Sequence, residues 1–219
     1  MKKYLFLIIS GFVLVLVLVS NMHKQIHGAF LYVENVSGLP FTVDCRLSFY
    51  NKNKYNLNIT IGSEELWHEQ FLSSGTYRVW FGRHIFLRDK NGLRMHFLMK
   101  GETIIGKQAF CGLVGKTMKA FPYPIAIYHR QMEQVNDGLE TSHVEKLPDS
   151  YGSQYDFWLD LKDNNEYTYS AYGFVISEGK WEREGNLLYF FDRCLQKPFV
   201  GTIKTDRLEL FGDEIGMSP

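Results

Sequence analysis

The sequence predicts an all-β protein with minor α content. The architecture is an antiparallel meander, closed as a barrel or packed as a sandwich, made of two tandem repeats of about four strands. One N-terminal transmembrane helix precedes it. Three observations carry this prediction. A hairpin-like stretch occurs twice without a gap: Leu47-Ser48-Phe49-Tyr50-Asn51-Lys52-Asn53-Lys54-Tyr55-Asn56-Leu57 and Leu159-Asp160-Leu161-Lys162-Asp163-Asn164-Asn165-Glu166-Tyr167-Thr168-Tyr169. Aromatic residues reach 16%, and rings pack well across a pleated surface. Finally, Met1-Lys2-Lys3 opens a long apolar run.

That run extends from Tyr4 to Val19 and, with Met22 included, offers about 19 residues, or about 28 Å of helix, close to the thickness of a bilayer core. No polar stripe marks an outward face. A cleaved signal peptide is the alternative. A cut after Ser20 would place Leu18 at −3, and one after Gly28 would place Ile26 there, both poor for a signal peptidase. Residues 1–24 are therefore expected to be a signal anchor that contacts the membrane through residues 4–22. Lys2 and Lys3 lie before the run, and only Lys24 follows closely. The positive-inside rule then leaves the N-terminus cytoplasmic and the rest of the chain extracytoplasmic, periplasmic in a Gram-negative cell.

Residues 25–120 form the expected first repeat. Ala29-Phe30-Leu31-Tyr32-Val33 is β-prone, and the first hairpin begins near Val43. Asn51-Lys52-Asn53-Lys54 supplies its turn. Tyr55, Leu57, Ile59 and Ile61 then alternate with polar residues, the pattern of a half-buried strand. Gly75 to Phe81 is a further strand, Gly82-Arg83 a turn, and Ile85-Phe86-Leu87 a strand. Asp89-Lys90-Asn91-Gly92 is a hairpin turn, after which Met95, Phe97 and Met99 alternate. Residues 121–152 read as a connector, partly helical near Tyr128 to Val135. Residues 153–219 hold the second repeat. There Gly179-Lys180-Trp181 matches Gly75-Thr76-Tyr77, and Gly185-Asn186 stands for Gly82-Arg83. One four-strand meander has raw edges and half a core, so 25–219 is expected to fold as one unit.

The charge balance is 24 basic to 24 acidic residues, a net charge of zero. No global field draws in nucleic acid, and none is expected as a partner. The cysteines are Cys45, Cys111 and Cys194. They form no C-x-x-C pair, so a zinc knuckle is not indicated. Either one bridge, Cys45–Cys111, forms outside the cytoplasm, or all three are free thiols.

Candidate chemistry is sparse. Gly112-Leu113-Val114-Gly115-Lys116-Thr117 resembles the end of a phosphate-binding loop, but Phe110 stands where that motif needs glycine. His84 and His96 point away from the Ile85/Leu87 and Met95/Phe97 face and meet across strands, as an exposed pair or a metal site. Asp156 and Asp160 share a strand face beside Trp158, as a solvated face or a glycoside-cleaving pair. Asn35-Val36-Ser37 and Asn58-Ile59-Thr60 fit the glycosylation pattern. No nucleophile–base arrangement stands out, so no enzyme activity, catalytic residue, metal or cofactor is expected. Trp80, Trp158, Tyr172, Trp181 and Tyr189 are candidates to line a ligand pocket or to fill a core.

Asn165, Tyr167, Gly179, Trp181, Gly185, Asn186, Leu187 and Asp192, with an echo at Asn53, Tyr55, Gly75, Tyr77 and Asp89, form a plan similar to lipocalin-like meander domains of bacterial envelope proteins. The resemblance implies a fold class and an envelope location. Two functions are expected. One is a membrane-anchored, lipocalin-like binder of a small apolar or amphipathic ligand. The other is an envelope interaction or inhibitor protein that works through its surface.

Overall fold

The computed structural model describes residues 11, 25–26, 28–35, 42–62, 67–121, 150–152, 157–204, 207–211 and 213–216. The described chain is all-β, with every ladder antiparallel and joined in sequence order. The first meander runs β1 (Gly28–Asn35), β2 (Thr42–Tyr50), β3 (Lys54–Gly62), β4 (Trp67–Trp80), β5 (His84–Asp89), β6 (Arg94–Lys100), β7 (Thr103–Gln108) and β8 (Thr117–Phe121). It closes into a barrel because β1 pairs with both β2 and β8. The second runs β9 (Ser150–Gly152), β10 (Phe157–Leu161), β11 (Glu166–Ala171), β12 (Phe174–Glu184), β13 (Leu187–Asp192), β14 (Phe199–Ile203), β15 (Arg207–Leu210) and β16 (Asp213–Gly216). This is an open sheet that curls until Cα atoms of β9 and β16 lie within 8 Å.

The repeat is thus eight strands, not four. Gly106 breaks the apolar pattern of β7, and β9 is only three residues long, so neither has a readable alternation. The duplicated hairpin is the second and third strand of each meander. Asn53 and Asn165 both take left-handed φ in its turn, at 55° and 60°, which asparagine tolerates. A register shift follows at the same place, after Leu57 in one copy and after Tyr169 in the other. Gly75 lies opposite Tyr55 and Asp89, and Gly179 opposite Tyr167 and Asp192. The backbones press together there. A Cβ on Gly75 would sit 2.1 Å from the Arg88 carbonyl oxygen, and one on Gly179 1.9 Å from that of Phe191.

The interior of each meander is filled with rings. Phe49 meets Phe30 and Tyr77 at centroid distances of 5.9 and 4.8 Å. Phe190 meets Tyr167 and Phe199, both at 5.0 Å. Such offset and edge contacts add to area burial.

Antiparallel order sends alternate turns to opposite ends of the barrel. One end carries the β2–β3, β4–β5 and β6–β7 turns, the start of β1 and the end of β8, since Gly28 pairs with Phe49 and Ala29 with Phe121. The chain before β1 is pinned there. The Tyr77 hydroxyl donates to the Ile26 carbonyl and accepts from its amide, both at 2.9 Å. The other end carries the β5–β6 turn and a 3-10 turn at Cys111–Leu113, and the second meander packs against it. Phe110 enters the second ring cluster, 5.7 Å from Phe199 and 5.6 Å from Phe211. The Cys111 amide donates to Asp192 Oδ2 at 3.1 Å, and the Tyr169 hydroxyl donates to Gln70.

Among the described residues no helix is long and apolar enough to cross a membrane. The run 4–22 lies outside them apart from Gly11, which is helical. The expected helical turns at Tyr128 to Val135 lie outside them as well.

Candidate outward-facing binding site

Three adjacent strands of the barrel alternate strictly. Tyr77, Val79, Ile85, Leu87, Met95 and Phe97 point inward and are buried. The residues between them form a grid on the outer wall. Its rows are Thr76–Arg88–Arg94, Arg78–Phe86–His96 and Trp80–His84–Leu98, about 7 Å apart along the strands. Phe86 stacks on His96 at 4.5 Å with planes 9° apart, and on His84 at 6.4 Å. Trp80 meets the edge of Phe86 at 5.4 Å. His84 Nδ1 and His96 Nε2 are 3.1 Å apart, so one donates and the other accepts. Burial, then His84, then Lys107 hold the His96 pKa below the ordinary value. That keeps one imidazole neutral, as the hydrogen bond requires.

Arg78, Arg88, Arg94, Phe86 and His96 line a groove of about 440 Å³, and Gln196 of the second meander closes it. Among the described residues no acidic side chain lines it, and none of the three arginines forms an ion pair. Guanidinium forks pair with carboxylates or phosphates in two-pronged geometry. The two histidine nitrogens face each other, and the arginines repel a cation. Among the described residues no cluster of three metal-ligating side chains exists. The wall is suited to an anion.

The five aromatic candidates do not line one interior pocket. Trp80 and Trp158 are 41% and 38% exposed, on the outer face of their strands. Tyr189 also points outward, between buried Leu188 and Phe190, and its hydroxyl donates to Glu184 at 3.2 Å. Trp181 points into the core. Tyr172 sits in the β11–β12 turn with φ 45°. Alternation separates them, because Trp80 and Trp158 fall on the opposite parity from Trp181. Of the five, Trp80 alone belongs to the grid.

The expected Cys45–Cys111 bridge is not formed, and all three cysteines are free. Cys45 is fully buried on the inward face of β2, whereas Cys111 faces the second meander, its Sγ 3.9 Å from the Ile176 carbonyl. Burial, then the Asp192 charge, pushes the Cys111 thiol up to about 12. The loop at Gly112–Thr117 does not open a helix but leads into β8. Lys116 Nζ donates to the Tyr32 hydroxyl at 2.7 Å and to Glu34 at 3.2 Å, so it is engaged away from any phosphate. Asn58 is buried, and its amide donates to Glu69, so it is closed to glycosylation. Asp156 lies outside the described residues, and Asp160 lies on β10.

Reading the sequence missed the arginines. The signal was there: Arg78, Arg88 and Arg94 occupy the polar parity of three strands in succession. Which strands neighbour one another had to be known before the three became one surface.

Comparison of the chain with known protein families, with curated proteins and with solved structures returned no match. Fold and site together define an eight-stranded meander-barrel protein with a cationic, aromatic outer wall.

Proposed function

We propose that this is a membrane-tethered binding protein that recognises an acidic segment of a partner protein through the outer wall of β4–β6. In this reading residues 4–22 anchor the chain and the β domain lies outside the cytoplasm. The observation that carries it is the groove. Three arginines without carboxylate partners among the described residues surround a stacked Phe86–His96 platform. Arg88 and Arg94 stand directly opposite each other across β5 and β6, where like charges repel and an anion relieves the repulsion, and rigid aromatics beside arginine are typical anchors of interfaces. The meander topology also fits a lipocalin-like binder with an interior ligand. Against that stand Tyr55, Leu57, Tyr77 and Phe97, which occupy the barrel interior with almost no exposure.

The test uses the full chain in detergent micelles and a fluorescein-labelled polyglutamate peptide as probe. Anisotropy should report binding that weakens as salt rises and is lost in Arg88→Glu/Arg94→Glu, which changes only exposed positions. Peptide binding that survives this reversal overturns the reading. So does a small apolar molecule that co-purifies by native mass spectrometry while the peptide does not bind.

A further inference from the structure

The β4–β5 turn opens with the most exposed large hydrophobic residue among those described, Phe81, at 61%, directly after Trp80. Phe81 has φ 50°, a region that asparagine or glycine adopts more readily than a bulky aromatic. Neither packing nor turn preference accounts for an exposed phenyl ring there. The same end of the barrel presents Lys52, Arg83, Lys100 and Lys119 as exposed cations against Glu102. It is also the end at which Ile26 is pinned to Tyr77. From Met22 to Ile26 the chain spans four residues, at most about 14 Å.

We propose that the Trp80-Phe81 tip rests in the interfacial layer of the membrane that the N-terminal run crosses. The proposal depends on the reading of residues 4–22 as an anchor. A span ending near Met22 holds this end of the barrel within about 14 Å of the hydrocarbon, and the polar layer on each side is about 5–8 Å thick. A turn that projects beyond its neighbours therefore reaches lipid. Tryptophan and phenylalanine are suited to that depth, where apolar ring and polar headgroup meet. The flanking lysines and arginine match anionic headgroups. The second meander packs on the opposite end of the barrel and so lies farthest from the bilayer. With the tip, the barrel is held at two points, the anchor and the turn. This sets the wall of β4–β6 upright on the membrane, with the groove on the two rows next to the tip.

The full-length protein is reconstituted into phosphatidylcholine vesicles containing phosphatidylglycerol, with and without lipid brominated in the upper acyl chain. Retention on the vesicles in alkaline carbonate reports the anchor. The fluorescence difference between wild type and Trp80→Phe reports the tip. Bromination should diminish the emission that Trp80 contributes. Phe81→Asn, which suits the left-handed turn and leaves the melting temperature unchanged, should weaken that loss. If carbonate strips the protein from vesicles, the anchor reading fails and takes the tip proposal with it. If the protein is retained but bromination affects wild type and Trp80→Phe equally, the anchor stands and the tip proposal is overturned. Crosslinked dimers that Phe81→Asn abolishes, together with unquenched Trp80, would overturn it in favour of a second copy of the chain.

Discussion

In the first meander the Tyr55 hydroxyl meets Ser73 Oγ at 2.7 Å, and in the second the Tyr167 hydroxyl meets Ser177 Oγ at 2.7 Å. Each serine stands two residues before the close-packed glycine, Gly75 or Gly179, and each glycine lies opposite an aspartate that ends its strand. From there the two copies diverge. Asp89 stays local and accepts the Leu93 amide of its own β5–β6 turn at 2.6 Å. Asp192 accepts from Ser177 Oγ at 2.6 Å, from the Cys194 amide of its own turn at 2.7 Å, and from the Cys111 amide of the other meander at 3.1 Å. Strand length divides them too. β1 has eight residues and reaches β8, whereas β9 has three and leaves its sheet open. The first meander is closed by its own ladder. The second is completed by its neighbour, whose Phe110 plugs its core. One duplicated device thus serves a self-contained barrel and a docking module.

The largest effect expected on this comparison comes from the paired glycines. Gly75→Ala and Gly179→Ala each force a methyl group into backbone, so each should destabilise by about 3 kcal/mol or more. If the halves fold as one unit, both variants shift a single denaturant transition. Two separate transitions would show that the barrel stands alone. Next come the aspartates. Asp192→Ala leaves a buried hydroxyl and two amides without their acceptor and should cost about 3 kcal/mol, more than Asp89→Ala, whose site is half open to water. Hydrogen exchange sharpens the contrast. Asp192→Ala should expose amides in both meanders, and Asp89→Ala only those of the β5–β6 turn.

The smallest effect concerns charge. Among the described residues the first meander buries Asp44, Arg46, Ser48, Asn58, Thr60, Gln70 and Ser73, and the second buries Ser177 and Asp192. Burial lifts the Asp44 carboxyl from 3.8 to about 6, against the opposing pull of Arg46 and a hydrogen bond from Thr42. Between those two values the folded protein keeps a proton that the unfolded chain has lost. Stability therefore falls as pH rises from about 4 to about 6, and the full penalty persists above it. Asp44→Asn should flatten that part of the melting-temperature profile and gain stability at pH 7. A profile unchanged by the substitution would refute the account.

Much of this was legible in the chain. Tyr55 and Tyr167 mark the hairpins, Gly75 and Gly179 mark the close approach, and the alternation from Tyr77 to Phe97 marks three strands and their faces. Leu72-Ser73 and Ile176-Ser177 also precede the two glycines alike, a match that was open to reading but small. The groove was not legible. Arg78, Arg88 and Arg94 become one surface only when β4, β5 and β6 lie side by side, and Gln196 joins them only when the second meander docks.

Local patterning by itself marked the strands that alternate clearly and the face each buries, though not β7 or β9, because side-chain period and turn chemistry act over a few residues. It also determined that the plan is used twice. Tertiary structure alone decided that one copy closes and the other does not, since closure depends on whether the first strand reaches the eighth. It likewise decided that Asp192 joins the halves while Asp89 does not, and that Trp80 faces outward beside three arginines. Those outcomes follow from contacts between residues far apart in the chain, and no local preference encodes them.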